Sequence, residues 1–170
     1  MVRQAMKKNF RCLVLSDTHG DMHVLREAIE KEKPFDTLVH CGDVEGSLGS
    51  VLGVQTFGYL AVRGNCDLVS DVPRELLFNL GGSRIFVTHG HRFQVRYDVQ
   101  PLIRQGRMQN ADVVLYGHTH VPALYRDENT GILLVNPGSL ARPRQYPREK
   151  TYAILTIAEG EPPQAEIRVL

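Results

Sequence analysis

The chain has 170 residues, 20 basic and 19 acidic, for a net charge of +1. That length fits one domain, 1–170, which buries roughly 70% of its unfolded surface without needing staples. Balanced charge excludes a bulk nucleic-acid binder and an acidic disordered tail, while the polar Met1–Asn9 and the lack of any ~20-residue apolar run argue against a secretory leader and a membrane span.

Phe10–Ser16 is apolar and reads as a buried strand. Met22–Lys33 carries apolar side chains at Met22, Leu25 and Ile29 and meets Pro34, which predicts a helix with Asp21 as its N-cap. Thr37–His40 is a second strand. Ser47–Gln55 is a short helix weakened by Gly49 and Gly53, and Phe57–Val62 is a further strand. Leu76–Leu80, Gly81-Gly82 and Arg84–Thr88 read as a β-hairpin with a glycine turn. Asp98–Met108 reads as a helix capped by Asp98, with Pro101 in its first turn. Asp112–Tyr116, Ala123–Arg126, Ile132–Asn136, Tyr152–Ile157 and Ala165–Leu170 are later strands. The runs 131–136 and 152–157 look like core strands of a second sheet. An order of α/β first and mostly β afterwards predicts an α/β fold, a four-layer α-β-β-α sandwich of two facing mixed sheets.

The sparse, odd set Cys12, Cys41 and Cys66 contains no Cys-x-x-Cys and reads as reduced and cytoplasmic. More informative are the residues just beyond the apolar runs. Cys12–Leu15 leads to Asp17 and His19, and Leu38–Val39 to Asp43. Leu60–Val62 leads to Asn65, Ile85–Val87 to His89, and Val113–Leu115 to His118 and His120. Ligands of open α/β sheets gather at the carboxyl ends of strands, so five strand ends can converge on one cleft. Oxygen and imidazole donors without thiolates suit Mn, Fe(II) or Zn. Singly, each segment has a plainer reading: Asp17 as a turn or cap residue, Gly42-Asp43 and Gly64-Asn65 as tight turns. Their conjunction favours a metal site.

The order Asp-x-His, Gly-Asp, Gly-Asn-x-Asp, His, Gly-His-x-His, followed by Asn136-Pro137-Gly138-Ser139, resembles the calcineurin-like metallophosphoesterase superfamily. Within it, the small bacterial and archaeal phosphodiesterases are the more similar branch, and the resemblance spans Cys12 to about Arg144. It implies a metal-dependent phosphoric ester hydrolase, a phosphodiesterase more than a monoesterase, acting on a small phosphorylated substrate. Nucleic acid enters only as such a substrate, and no membrane is involved. The resemblance implies two divalent ions, manganese first, with Fe, Zn, Ni and Co as alternatives. One ion would rest on Asp17, His19 and His120, the other on Asn65, His89 and His118, with Asp43 bridging. A hydroxide activated by the two metals would attack in line.

Cys66 departs from many relatives, which carry His there to serve the leaving oxygen. A free thiol, with a pKa near 8.5, is a poorer general acid, and Gly-Asn-Cys-Asp also occurs in the small phosphodiesterase branch that the chain resembles. Asn65, Cys66 and Asp67 are the candidate catalytic residues, Asp67 either orienting its loop or acting as a turn carboxylate. Arg63 and His91 are candidate substrate contacts; their plainer readings are a surface pair and a His bonded to a carbonyl. The Arg142–Arg148 run either grips phosphate or is a solvated loop, and His23 and His40 read as structural. One rival is a scaffold that keeps the fold without catalysis, as in the related retromer subunit of eukaryotes; another is a single-metal regulatory or storage protein. Phe57–Leu60 and the later strands leave room for a homo-oligomer, with a buried core as the default.

Overall fold

A computed structural model describes residues 9–68 and 71–170. Most of the polar N-terminal segment, 1–8, therefore lies outside the described residues. The elements run β1 (Asn9–Leu15), α1 (Met22–Glu32), β2 (Thr37–His40), α2 (Leu48–Leu52), β3 (Gly58–Ala61), β4 (Glu75–Leu80) and β5 (Ser83–Thr88). After a short 3-10 turn (His91–Phe93) come α3 (Gln100–Met108), β6 (Val113–Leu115), β7 (Ala123–Arg126), β8 (Leu133–Asn136), β9 (Thr151–Ala158) and β10 (Gln164–Val169). They form two five-stranded sheets, ordered β10-β9-β1-β2-β3 and β4-β5-β6-β8-β7.

Period-2 alternation explains why the central strands read as continuous apolar runs. In β1, Leu13 and Leu15 face Val24, Leu25, Ala28 and Ile29 of α1, while Cys12 and Val14 face the opposite sheet. In β5 and β6, Ile85, Val87, Val113 and Leu115 point into that same space between the sheets. Phe86 and Val114 point outward to Leu102 and Ile103 of α3. A strand buried on both faces has no polar positions to alternate with. Three apolar layers therefore separate four layers of backbone, α-β-β-α. Fully burying each Leu, Ile or Val contributes about 1.5–3 kcal/mol.

Parallel pairing puts the ligand-bearing ends at one level. Leu15 pairs with His40, and His40 with Ala61, so β1, β2 and β3 stop together. In the facing sheet Val87, Leu115 and Val135 stand in register. The loops after these strands emerge side by side above the core.

Four sequence expectations need correction. The run 152–157 is not in the second sheet: β9 lies antiparallel between β1 and β10 in the first. It is almost wholly buried, and an all-apolar run carries no mark of which sheet it joins. The helix expected from Asp98 begins at Gln100 with Val99 as its N-cap; Asp98 only accepts from the Gln100 amide, 2.9 Å away. The second helix is cut to Leu48–Leu52, with Gly53 in a positive-φ cap. The first helix ends at Glu32, with the expected Asp21 N-cap accepting from Val24 N–H.

Candidate metal centre

Six of the eight positive-φ residues other than glycine, among the described residues, lie on the ligand loops: Asp17, His19, Asp43, Glu45, His118 and His120. Such a conformation costs a side-chain-bearing residue energy and persists where the surroundings over-determine it, typically at functional sites. Gly42, Gly64 and Gly117 stand immediately before Asp43, Asn65 and His118. A Cβ at Gly64 would overlap Asp43 Oδ1, and one at Gly117 would overlap Ser16 Oγ. The loops therefore approach the carboxylates backbone-first.

The side chains converge. Asp17 Oδ1 lies 3.0 Å from His120 Nε2 and 3.8 Å from His19 Nε2. The two ring nitrogens His19 Nε2 and His120 Nε2 are 3.2 Å apart. On the other side, His89 Nε2 lies 3.3 Å from Asp43 Oδ2 and 3.1 Å from Asn65 Oδ1. Asp43 Oδ2 reaches 4.0 Å from His19 Nε2, which joins the two halves. The His118 ring packs against His89 with centroids 5.2 Å apart.

The outer ring nitrogens fix which atoms face inward. His89 Nδ1 donates to the Cys41 carbonyl at 2.8 Å, and His120 Nδ1 to the Arg142 carbonyl at 2.7 Å. His19 Nδ1 donates to the Glu45 carboxylate at 2.9 Å. A neutral imidazole with its proton on Nδ1 presents a bare lone pair at Nε2. Three inward-facing Nε2 atoms, two carboxylates and an amide oxygen thus surround the centre. Asp17 Oδ1 is buried and has no donor other than the facing His120 ring. A cluster made only of acceptors is complete when a cation sits within it, and an outward-donating His is the usual support of a metal ligand. The donor set therefore fits divalent cations. Asp17, His19 and His120 have ligand atoms within 4.8 Å of one another, as do Asp17, Asp43 and His89.

Electrostatics agree with this demand for positive charge. Burial opposes ionisation of Asp43, yet His89 and the Cys66 N–H outweigh it and hold the carboxyl well below the usual range. Asp17 is also held low against its burial, by His120 and His89. Burial disfavours a charged His89, but the Asp43 and Asp17 carboxylates raise its pKa. Burial and the neighbouring His89 push His118 down to about 4, which keeps that ring neutral.

The supporting residues act largely through backbone atoms. Asp67, buried, accepts from Asp43 N–H (2.8 Å), Gly64 N–H (2.9 Å) and Glu45 N–H (2.8 Å). It clamps two ligand loops together through both oxygens, which is the loop-orienting role of the two read from its motif. Asn136 donates to the Gly117 carbonyl and to Thr119 Oγ1, both at 3.0 Å, and accepts from Gly138 N–H. Ser139 Oγ donates to the Asp17 carbonyl at 2.8 Å. Glu45 and the Arg142 carbonyl were not expected from the sequence. Glu45 stands two residues beyond Asp43, the one local signal for it.

Cys66 N–H donates to Asp43 Oδ1 at 2.8 Å, and Asn65 Nδ2 donates to Cys66 Sγ at 3.2 Å. Burial, then Asp43 and Glu45, push its thiol up to about 12. Arg63 ties its own loop, donating to the Asp67 and Leu68 carbonyls at 2.9 and 3.0 Å. His91 lies beside the cluster, its ring centroid 5.4 Å from His89 and 6.0 Å from His118. Its Nδ1 is buried without a hydrogen bond, which corrects the carbonyl bond read from sequence. His40 is structural: it accepts from Gly42 N–H and faces Thr18 Oγ1, both at 3.2 Å. His23 is exposed on α1, and among the described residues no helix is long and apolar enough to cross a membrane.

A family model described as the calcineurin-like phosphoesterase superfamily domain matches residues 10–160. The chain is 34% identical over 146 residues to probable metallophosphoesterase YsnB of Bacillus subtilis, covering 85% of this chain and 83% of that protein. It is 30% identical over 160 residues to phosphodiesterase YfcE of Escherichia coli, covering 79% and 81%. A crystal structure from Streptococcus pneumoniae, described as a predicted phosphoesterase, superposes with a TM-score of 0.79 at 31% identity, over 96% of this chain and 100% of that one.

Proposed function

The chain belongs to the calcineurin-like phosphoesterase superfamily, and from that premise we propose that it is a phosphodiesterase working with two divalent cations. Asp17, His19 and His120 would hold one cation and Asn65, His89 and His118 the other, with Asp43 available to both. When bound, the two ions supply Lewis acidity at the phosphoryl oxygens and a water acidified enough to attack near neutral pH. The observation that carries this reading is the convergence of bare Nε2 atoms on the unpartnered Asp17 oxygen.

The chain's own groups do the rest. The outward Nδ1 bonds of His19, His89 and His120 keep the rings aimed with Nε2 facing the cluster. Asp67 holds the Asp43 and Asn65 loops at fixed separation. Asn65 reaches the open side of the cluster, with Arg63 and His91 flanking it as substrate contacts. Cys66, its thiol protonated at neutral pH, is too weak an acid to give a proton efficiently to a leaving alkoxide. That favours esters whose leaving group departs unaided, such as activated diesters.

The test is turnover of bis(4-nitrophenyl) phosphate by protein stripped of metal and reloaded with Mn(II), with bound metal quantified. Turnover that appears on reloading and is lost again with EDTA supports the reading. Two bound ions without turnover would favour the scaffold reading.

A further inference from the structure

Beside the metal cluster lies a recess of about 190 Å³ lined by Arg63, Gly64, Asn65, Arg74 and His91. It adjoins the cluster directly, because Asn65 Oδ1 sits 3.1 Å from His89 Nε2 and the His91 ring packs against His89 and His118. Two arginines line this small volume and no acidic residue does. Arg63 is bound to carbonyls through Nε and Nη2, which fixes its plane and leaves Nη1 for another acceptor. Arg74 makes no ion pair or hydrogen bond among the described residues. The neighbouring carboxylate, Glu75, pairs instead with Arg92, at 3.8 Å. Planar guanidinium groups match phosphate and carboxylate oxygens two at a time, and two of them facing one recess without a counter-ion leave it electropositive.

We propose that this recess is a second anion subsite, so that the preferred substrate carries a phosphate group adjacent to the phosphodiester that is cleaved. The proposal rests on the phosphodiesterase reading and narrows its substrate class. Arg74 is the discriminating residue: it is exposed, makes no side-chain hydrogen bond or ion pair among the described residues, and no motif of the chain contains it. Arg63 sets the floor of the recess and orients Asn65's loop. A diester with no second anion reaches the cluster without using the recess; one bearing a neighbouring phosphate gains two charge-assisted contacts.

The experiment compares thymidine 5′-(4-nitrophenyl phosphate) with the same compound carrying a 3′-phosphate, using the Mn(II)-loaded protein. The expected kcat/KM ratio is tenfold or more in favour of the 3′-phosphorylated compound, expressed mainly in KM. In Arg74→Ala the ratio falls toward one, while Arg74→Lys retains part of it. A wild-type ratio near one with both compounds hydrolysed would overturn the subsite and leave the phosphodiesterase reading standing. A ratio unchanged in Arg74→Ala would overturn it equally. If neither compound is hydrolysed, equilibrium binding decides the subsite alone. Thymidine 3′,5′-bisphosphate should then bind at least tenfold tighter than thymidine 5′-monophosphate in wild type but not in Arg74→Ala, and equal binding in wild type would overturn the proposal.

Discussion

Removing the Asp67 carboxylate should destabilise the protein even when no metal is bound. Asp67 is 7% exposed and accepts from three backbone amides, those of Asp43, Glu45 and Gly64, at 2.8–2.9 Å. A hydrogen bond to a charged group contributes about 1.5–3 kcal/mol, and a buried donor left orphaned costs about 1–3 kcal/mol. In Asp67→Ala all three amides lose their partner. Water can reach the Glu45 amide more readily than the two buried ones, so the net loss is roughly 4 kcal/mol. For a domain of this length each kcal/mol lowers Tm by about 2–4 °C, giving a fall of roughly 8–16 °C. Asp67→Asn keeps the shape but turns one acceptor into a donor facing N–H groups, and should fall between wild type and alanine. The assay is thermal unfolding of the metal-free protein at neutral pH, which separates the clamp from any ligand effect. A Tm for Asp67→Ala within about 3 °C of wild type would refute the clamp, since three such bonds cannot be worth so little.

Burial pushes His40 down to about 4, whereas an unfolded His titrates near 6.5. Between those values only the unfolded chain takes up the proton, so stability present above about pH 6.5 is lost as pH falls toward 4, by about 3 kcal/mol in all. His40→Gln should therefore show a shallower loss of urea stability between pH 7 and pH 5, measured without metal; equal slopes in the two proteins would count against it. Glu45→Gln weakens the acceptor for His19 Nδ1 and should lower Mn(II) affinity by about 10–100-fold at one site, read by calorimetric titration, with unaltered affinity at both sites as the contrary result. Cys66→His places a group with a pKa near 6.5 at the leaving-group side. It should raise kcat/KM for an alkyl phosphomonoester relative to a nitrophenyl diester, by up to about 10²-fold; an unchanged ratio with both ions bound would mean that position 66 does not serve the leaving oxygen.

The strand-then-ligand order was legible because each candidate ligand follows an apolar run, and parallel pairing of those runs brings their ends level. Asp17, His19, Asp43, Asn65, His89, His118 and His120 all project from such ends. The features hidden from the sequence act through the main chain. The Cys41 and Arg142 carbonyls orient His89 and His120, and any residue type supplies a carbonyl. Asp67 was visible as an acidic turn residue, but its three amide partners lie 3–24 positions away and belong to tertiary contact. The placing of β9 was lost for a related reason: Ala153, Leu155 and Ile157 face the inter-sheet core while Tyr152 and Ile154 face the helix side, so its pattern suits either sheet. The Arg142–Arg148 run serves the site through a backbone oxygen, an effect that its exposed basic side chains do not announce.

The central claim is a pair of cations sharing Asp43. Mn(II) titration of metal-free protein followed by electron paramagnetic resonance tests it directly, because two ions bridged by one carboxylate couple magnetically and isolated ions do not. Wild type should saturate at two ions per chain with a coupled signal replacing the six-line mononuclear one, and Asp43→Asn should hold one ion or fewer with no coupled signal. Saturation of wild type at a single uncoupled ion, or two coupled ions retained in Asp43→Asn, would contradict the account.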